Sequence, residues 1–195
     1  MSQIGLFFGS FNPIHVGHLI IANHFIENTD LDEVWFIVSP HNPLKEKKSL
    51  APERHRLNMV RAAIDDNPKL RASDIEFKLA QPSYTVDTLT VLKEKYPAKN
   101  FALIMGSDNL HSIQNWKNYK QIIEHYPIYV FKRPDNKISE VKNLAEFKKI
   151  IRAKAPLLEI SASYIRECIQ NKKSIRYLVP DKVIEYIEGA ALYKK

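Results

Sequence analysis

The chain of 195 residues is short of cysteine, glycine and long apolar runs, and each shortage excludes something. Its single cysteine, Cys168, rules out an internal disulfide and fits a reducing compartment. No apolar run is long enough for a membrane span, and the N-terminus lacks the basic-then-apolar pattern of a secretory signal. The expectation is a soluble, cytoplasmic protein without a membrane partner. The fingerprint Gly-x-Gly-x-x-Gly is missing, and so is the P-loop Gly-Lys-Ser/Thr, so hydride transfer and P-loop NTPase chemistry both lose support. Of only five glycines, three (Gly9, Gly17 and Gly106) fall in short motifs beside serine or histidine. A chain this sparing with glycine has placed those three for backbone geometry.

What is abundant is positive charge. Lys and Arg number 29 against 22 Asp and Glu, a formal net charge of +7, which calls for an anionic partner. The cations are scattered, apart from Lys45-Glu46-Lys47-Lys48 and Lys172-Lys173. That distribution reads as a solvated surface and not as a nucleic-acid footprint. The length suits one domain over residues 1–195, with no repeat and no linker, and a helical C-terminal part from about 160 to 195.

Short apolar runs alternate with helical patterns along the chain. Ile4–Phe8, Glu33–Val38, Phe101–Met105 and Ile128–Phe131 read as buried strands. Leu157–Ile160 reads as a further short strand. Leu70–Leu79 reads as two extended pieces, with Ile75, Phe77 and Leu79 alternating. Helical spacing appears around Leu19–Ile26, in Pro52–Ala63, after Pro82, after Ser161 and in Pro180–Tyr193. The alternation predicts an α/β fold, a Rossmann-like parallel sheet flanked by helices. The polar, basic segment 135–156 suggests no role.

The run Gly9-Ser10-Phe11-Asn12-Pro13-Ile14-His15-Val16-Gly17-His18-Leu19 follows the first strand and opens the first helix. In open α/β sheets ligands bind at that carboxyl edge. Gly9 and Gly17 allow close backbone approach, and Pro13 fixes a corner. His15 and His18 flank a helix start, where free N–H groups favour an anion. One histidine near a turn is unremarkable. Two, three apart between glycines, point to phosphate chemistry. No nearby cysteine or carboxylate completes a metal site around them.

This run resembles the His-x-Gly-His signature of the nucleotidylyltransferase superfamily. The chain is most similar, nearly end to end, to the bacterial nicotinate-nucleotide adenylyltransferases. Asn12 departs from the pattern, which often has Asp there, but keeps a short hydrogen-bonding side chain. A second stretch, Ile160-Ser161-Ala162-Ser163-Tyr164-Ile165-Arg166, resembles the family's Ile-Ser-x-Ser/Thr-x-Ile-Arg signature. By itself it is also a plain helix cap through Ser161 or Ser163.

The resemblance implies adenylyl transfer from ATP to nicotinate mononucleotide, giving deamido-NAD and pyrophosphate, with Mg²⁺ accompanying ATP. Charge at the transferred phosphorus would then fall to His15, His18, Lys45 and Arg166. ATP would lie along Gly9, Ser10, Phe11, His18, Gly106 and Ser107, and under Ser163 and Arg166. The acceptor side would take Thr85, Asp108, Trp116, Lys117 and Arg133. Asp108 would reach ribose hydroxyls and Trp116 would stack on the nicotinate ring. Each has a plainer role: Ser83 or Thr85 as a cap for the following helix, Asp108 as another cap, Trp116 as core. Nicotinamide mononucleotide and phosphopantetheine are alternative acceptors. A non-catalytic nucleotide- or RNA-binding module is the reading from another class. Self-association into a homo-oligomer stays open at this stage.

If the two imidazoles face the transferred group, His18→Ala lowers kcat at least about 10²-fold while leaving folding nearly unchanged. Steady-state turnover with a melting curve checks this. Near-native turnover would remove the phosphate from this motif.

Overall fold

In the second strand, β2 (Glu33–Val38), Val34, Phe36 and Val38 turn to one side of the sheet and Trp35 and Ile37 to the other. A strand apolar on both faces needs helices above and below it, and that requirement builds the rest of the fold. The computed structural model describes residues 2–40, 50–133, 147 and 149–194. The remaining strands are β1 (Gln3–Gly9), β3 (Leu70–Ser73), β4 (Asn100–Gly106), β5 (Ile128–Phe131) and β6 (Ile150–Ala153). All pairings are parallel, in the order β3-β2-β1-β4-β5-β6. Period-two alternation recurs in β4 and β5. Ala102, Ile104, Tyr129 and Phe131 face one core, and Phe101, Leu103, Met105, Ile128 and Val130 face the other.

The first core is closed by α1 (Val16–Asn28) through Ala22, Phe25 and Ile26, and by α2 (Glu53–Ile64) through Leu57, Met59, Val60 and Ile64. It then receives Ile165 and Cys168 of a later helix (Ala162–Gln170), and Val183 and Ile187 of the last (Asp181–Gly189). The second core is closed by α3 (Thr85–Lys95), the six-residue α4 (Ser107–Ser112) and α5 (Tyr119–His125). The two late helices are accordingly α6 and α7. No described helix is long and apolar enough to cross a membrane.

The strand order explains where a ligand can sit. From β1 the chain moves outward through β2 and β3, then returns to place β4 on the other side of β1. The connections after β1 and β4 therefore leave in opposite directions, and the carboxyl ends of those two strands are the switch point at which open α/β sheets place their ligand crevice.

Two expectations from the sequence are corrected. Leu157–Ile160 forms no strand; the sixth strand is β6, inside the polar segment 135–156. Its apolar pair Ile150-Ile151 sits among charged neighbours, and its strand character comes from pairing with β5, Ile128 opposite Ile150. Ile75–Lys78 is a 3₁₀ turn, not an extended piece. Its Glu76 is 2 % exposed, and its carboxylate accepts hydrogen bonds from the hydroxyls of Thr88 at 2.8 Å and Ser83 at 3.0 Å. An alternating strand would have left that carboxylate outside.

Phe36 is fully buried beneath the loop after β1, with its ring centroid 5.4 Å from that of Phe11 and 5.8 Å from that of Phe7. Phe36→Ala should cost about 3–5 kcal/mol of stability. Urea unfolding measures it, and a loss below about 1 kcal/mol would mean that this layer is not packed as described.

Candidate active site

The loop from Gly9 to His15 is shaped by aromatic packing. Phe11 has a φ of 45°, left-handed backbone that a bulky residue adopts only when its surroundings hold it there. Its ring is 2 % exposed and meets Phe7, Phe36 and His18 edge-on, with centroids 5.1–6.0 Å apart. That ring lies over Gly9, where a Cβ would stand 2.8 Å from it, so glycine is needed here for close approach. The Ser39 N–H donates to the Gly9 carbonyl at 2.9 Å and aligns the ends of β1 and β2.

His15 and His18 stack, with ring centroids 3.7 Å apart and planes 26° from parallel. The His15 backbone N–H donates to Nδ1 of His18 at 3.3 Å, which leaves the ring proton of a neutral His18 on Nε2. The His15 ring is 6 % exposed, and its Nδ1 has no hydrogen-bond partner among the described residues. Burial first, and then the positive charge of Arg133, lower its pKa to about 4. His15 is therefore neutral near pH 7. A neutral ring at this position can still serve an anion as a hydrogen-bond donor.

The second motif reaches the first directly. Ser161 caps α6 by accepting the Tyr164 N–H at 3.2 Å. One turn on, Arg166 donates Nη1 to the Asn12 carbonyl at 2.8 Å and Nη2 to Oγ of Ser163 at 3.2 Å. Oδ1 of Asn12 accepts the Ala51 N–H at 3.0 Å and the Tyr193 hydroxyl at 2.8 Å. Asparagine supplies that acceptor as aspartate would, so the departure from the expected pattern leaves these bonds in place.

At the end of β4, Ser107 is fully buried, and its Oγ accepts the Arg133 N–H at 3.0 Å. Its side chain positions Arg133 and is not open to a ligand. The Arg133 side chain pairs with Asp108, Nε to Oδ1 3.7 Å, across Gly106, where a Cβ would collide with the Asp108 carboxylate. Gly106, Asp108 and Arg133 thus meet at the ends of β4 and β5.

Farther out, Lys117 pairs with Asp87, Nζ to Oδ2 3.0 Å, and lies 4.8 Å from the centre of the Tyr84 ring. These contacts bring the segment of half-buried Trp116 against the start of α3, where Thr85 is the first helical residue. The expected cap from Ser83 or Thr85 is absent. Tyr84 holds the cap position without a side-chain bond, and Ser83 has turned its hydroxyl to Glu76. The first-turn N–H groups of α3 are left without a side-chain cap. Lys45 lies outside the described residues.

Sequence reasoning missed Arg56, Glu76 and Tyr193. Arg56 carried a signal: it stands four residues before Val60 and eight before Ile64, on the apolar stripe of α2. Glu76 and Tyr193 carried none.

A family model described as cytidylyltransferase-like matches residues 6–168. A Cytophaga hutchinsonii protein named "Probable nicotinate-nucleotide adenylyltransferase" is 58 % identical over 98 % of both chains. A Flavobacterium psychrophilum protein of the same name is 53 % identical over 99 % of this chain and all of its own. The fold is shared with Plasmodium falciparum nicotinic acid mononucleotide adenylyltransferase complexed with NaAD. Its TM-score is 0.83 at 24 % identity, covering 99 % of this chain and 98 % of that one.

The depressed pKa of His15 has a stability consequence. Between pH 6.5 and about 4 the unfolded chain binds a proton at this ring and the folded chain does not. Acidification through that window therefore destabilises the fold, by up to about 3 kcal/mol from this group. Urea unfolding from pH 7 to 4 should show a steeper loss in the wild type than in His15→Gln. Equal slopes would mean that His15 titrates normally.

Proposed function

The chain belongs to the cytidylyltransferase-like family and, within it, to the nicotinate-nucleotide adenylyltransferases, and from that premise we propose how its residues carry the reaction. The enzyme transfers the adenylyl group of ATP to nicotinate mononucleotide. A phosphate oxygen of the mononucleotide bonds to the α-phosphorus, the bond to the β-phosphate oxygen breaks, and deamido-NAD and pyrophosphate leave. The nucleophile belongs to the substrate, so the protein's task is to hold two anions in line and to stabilise charge on the phosphorus.

The observation that carries this assignment is the 2.8 Å bond from Arg166 to the Asn12 carbonyl, which joins the two signature motifs. In our reading ATP lies between the loop 9–18 and the start of α6. His18 offers its Nε2 proton to a phosphate oxygen, and neutral His15 contributes a hydrogen bond beneath it. Arg166 adds a positive charge fixed in place by Asn12 and Ser163. Each such donor is worth about 2–4 kcal/mol to the transition state. Among the described residues no group of three His, Cys, Asp or Glu forms a metal cage. Mg²⁺ would enter with ATP and would supply charge neutralisation on its phosphates.

The acceptor is read at the other end of the crevice. Trp116 is the stacking surface for the pyridine ring. The Lys117 charge is offset by Asp87, so selection of the carboxylate falls on the Thr85 hydroxyl and the uncapped N–H groups of α3. An amide would set its NH₂ against those donors and leave them unpaired.

Parallel kinetics with the two mononucleotides test this. The acid should be preferred at least about tenfold in kcat/KM, roughly 1.4 kcal/mol. Thr85→Val should narrow the gap, and Trp116→Ala should weaken both acceptors. Equal efficiency for acid and amide would contradict the assignment of this pocket.

A further inference from the structure

Arg56 is 1 % exposed, and among the described residues no carboxylate hydrogen-bonds its guanidinium. The group is instead spent on main-chain carbonyls. Nε donates to Ala51 at 2.9 Å, Nη1 to Ser10 at 2.6 Å and to Ser39 at 2.7 Å, and Nη2 to Pro40 at 2.8 Å. A buried cation is costly unless its donors are satisfied, and here four carbonyls from three separate segments satisfy it. Only a planar fork can serve them together; a lysine ammonium would have to abandon some.

The Ser10 bond has a geometric consequence. The Ser10–Phe11 peptide is trans, so its N–H points opposite to its carbonyl. With the Ser10 carbonyl drawn onto Arg56, the Phe11 N–H faces away from the guanidinium. Among the described residues this N–H has no hydrogen-bond acceptor, although the Phe11 ring is buried and its backbone is held at φ 45°. An unpaired N–H in a loop fixed so firmly is a preformed donor for an anion.

We propose that Arg56 is a positioning residue for adenylyl transfer: by fixing the Ser10 carbonyl it presents the Phe11 N–H to a phosphate oxygen of ATP. This rests on the adenylyltransferase reading for the identity of the anion. Arg56 itself touches no substrate and acts through the peptide it orients.

The test is a ¹⁵N-phenylalanine spectrum of the full chain titrated with ATP alone, beside kinetics of Arg56→Lys. The wild-type Phe11 amide proton should move downfield in step with ATP occupancy, and in Arg56→Lys that movement should be lost. The same variant should lose at least about tenfold in kcat while its KM for the acceptor stays within about twofold, the pattern of misplacement and not of lost acceptor binding. A wild-type Phe11 amide that ignores saturating ATP overturns the proposal, and so does an Arg56→Lys enzyme with native kcat. If Arg56→Lys does not fold, Arg56→Gln is put through the same two measurements, and native kcat or a Phe11 shift unchanged from the wild type in it overturns the proposal. Failure of the acceptor assignment would appear separately, as absent turnover of nicotinate mononucleotide by a wild type that still binds ATP.

Discussion

Everything at the crevice depends on one topological constraint: all described strands run parallel, and the chain reverses its direction of travel across the sheet at β1. Parallel strands deliver their carboxyl ends to a single edge, and the helices that follow begin there. The loop 9–15, the Gly106–Asp108 corner and Arg133 are therefore neighbours because β1, β4 and β5 are adjacent and end together. Positive helix ends and free N–H groups concentrate at the same edge. The net positive charge of the chain adds long-range attraction for nucleotides, but the placement of donors comes from strand order.

The C-terminal part closes this edge from the far end of the sequence. Arg166 binds the Asn12 carbonyl, Tyr193 binds its side chain, and the Leu178 carbonyl accepts the Val16 N–H at 3.0 Å. Three separate points of the last forty residues thus rest on the first motif. Burial raises the pKa of Tyr193, so its hydroxyl stays protonated and a donor to Asn12. The first motif is held from below by Phe7 and Phe36, from one side by Arg56, and from above by these C-terminal contacts.

The sheet was legible in the sequence wherever a strand carries its own apolar pattern, as in Phe101–Met105. β6 was not, because only its pairing with β5 makes the two isoleucines a strand. The first motif was legible in its glycine and histidine spacing, whereas the second, a plain helix cap by itself, was legible only through its resemblance to the family signature. The charge of His15 was not: its depressed pKa comes from burial and from Arg133, which lies 118 positions away. The missing cap of α3 has the same origin. Ser83 is a good cap in isolation, but in the fold the Glu76 carboxylate is the better partner for its hydroxyl. Local rules failed where a distant polar group outbid them.

The central claim is that the stacked imidazoles and Arg166 hold the phosphorus without bonding to it, so that transfer is a single displacement between substrates. The stereochemical course at the α-phosphorus tests this most directly. With one diastereomer of an ATP carrying sulfur on the α-phosphorus, a single in-line step gives a dinucleotide with inverted configuration at phosphorus. Inversion is the predicted result. Retention would mean two displacements through an adenylylated side chain, His18 being the nearest candidate, and would contradict the account.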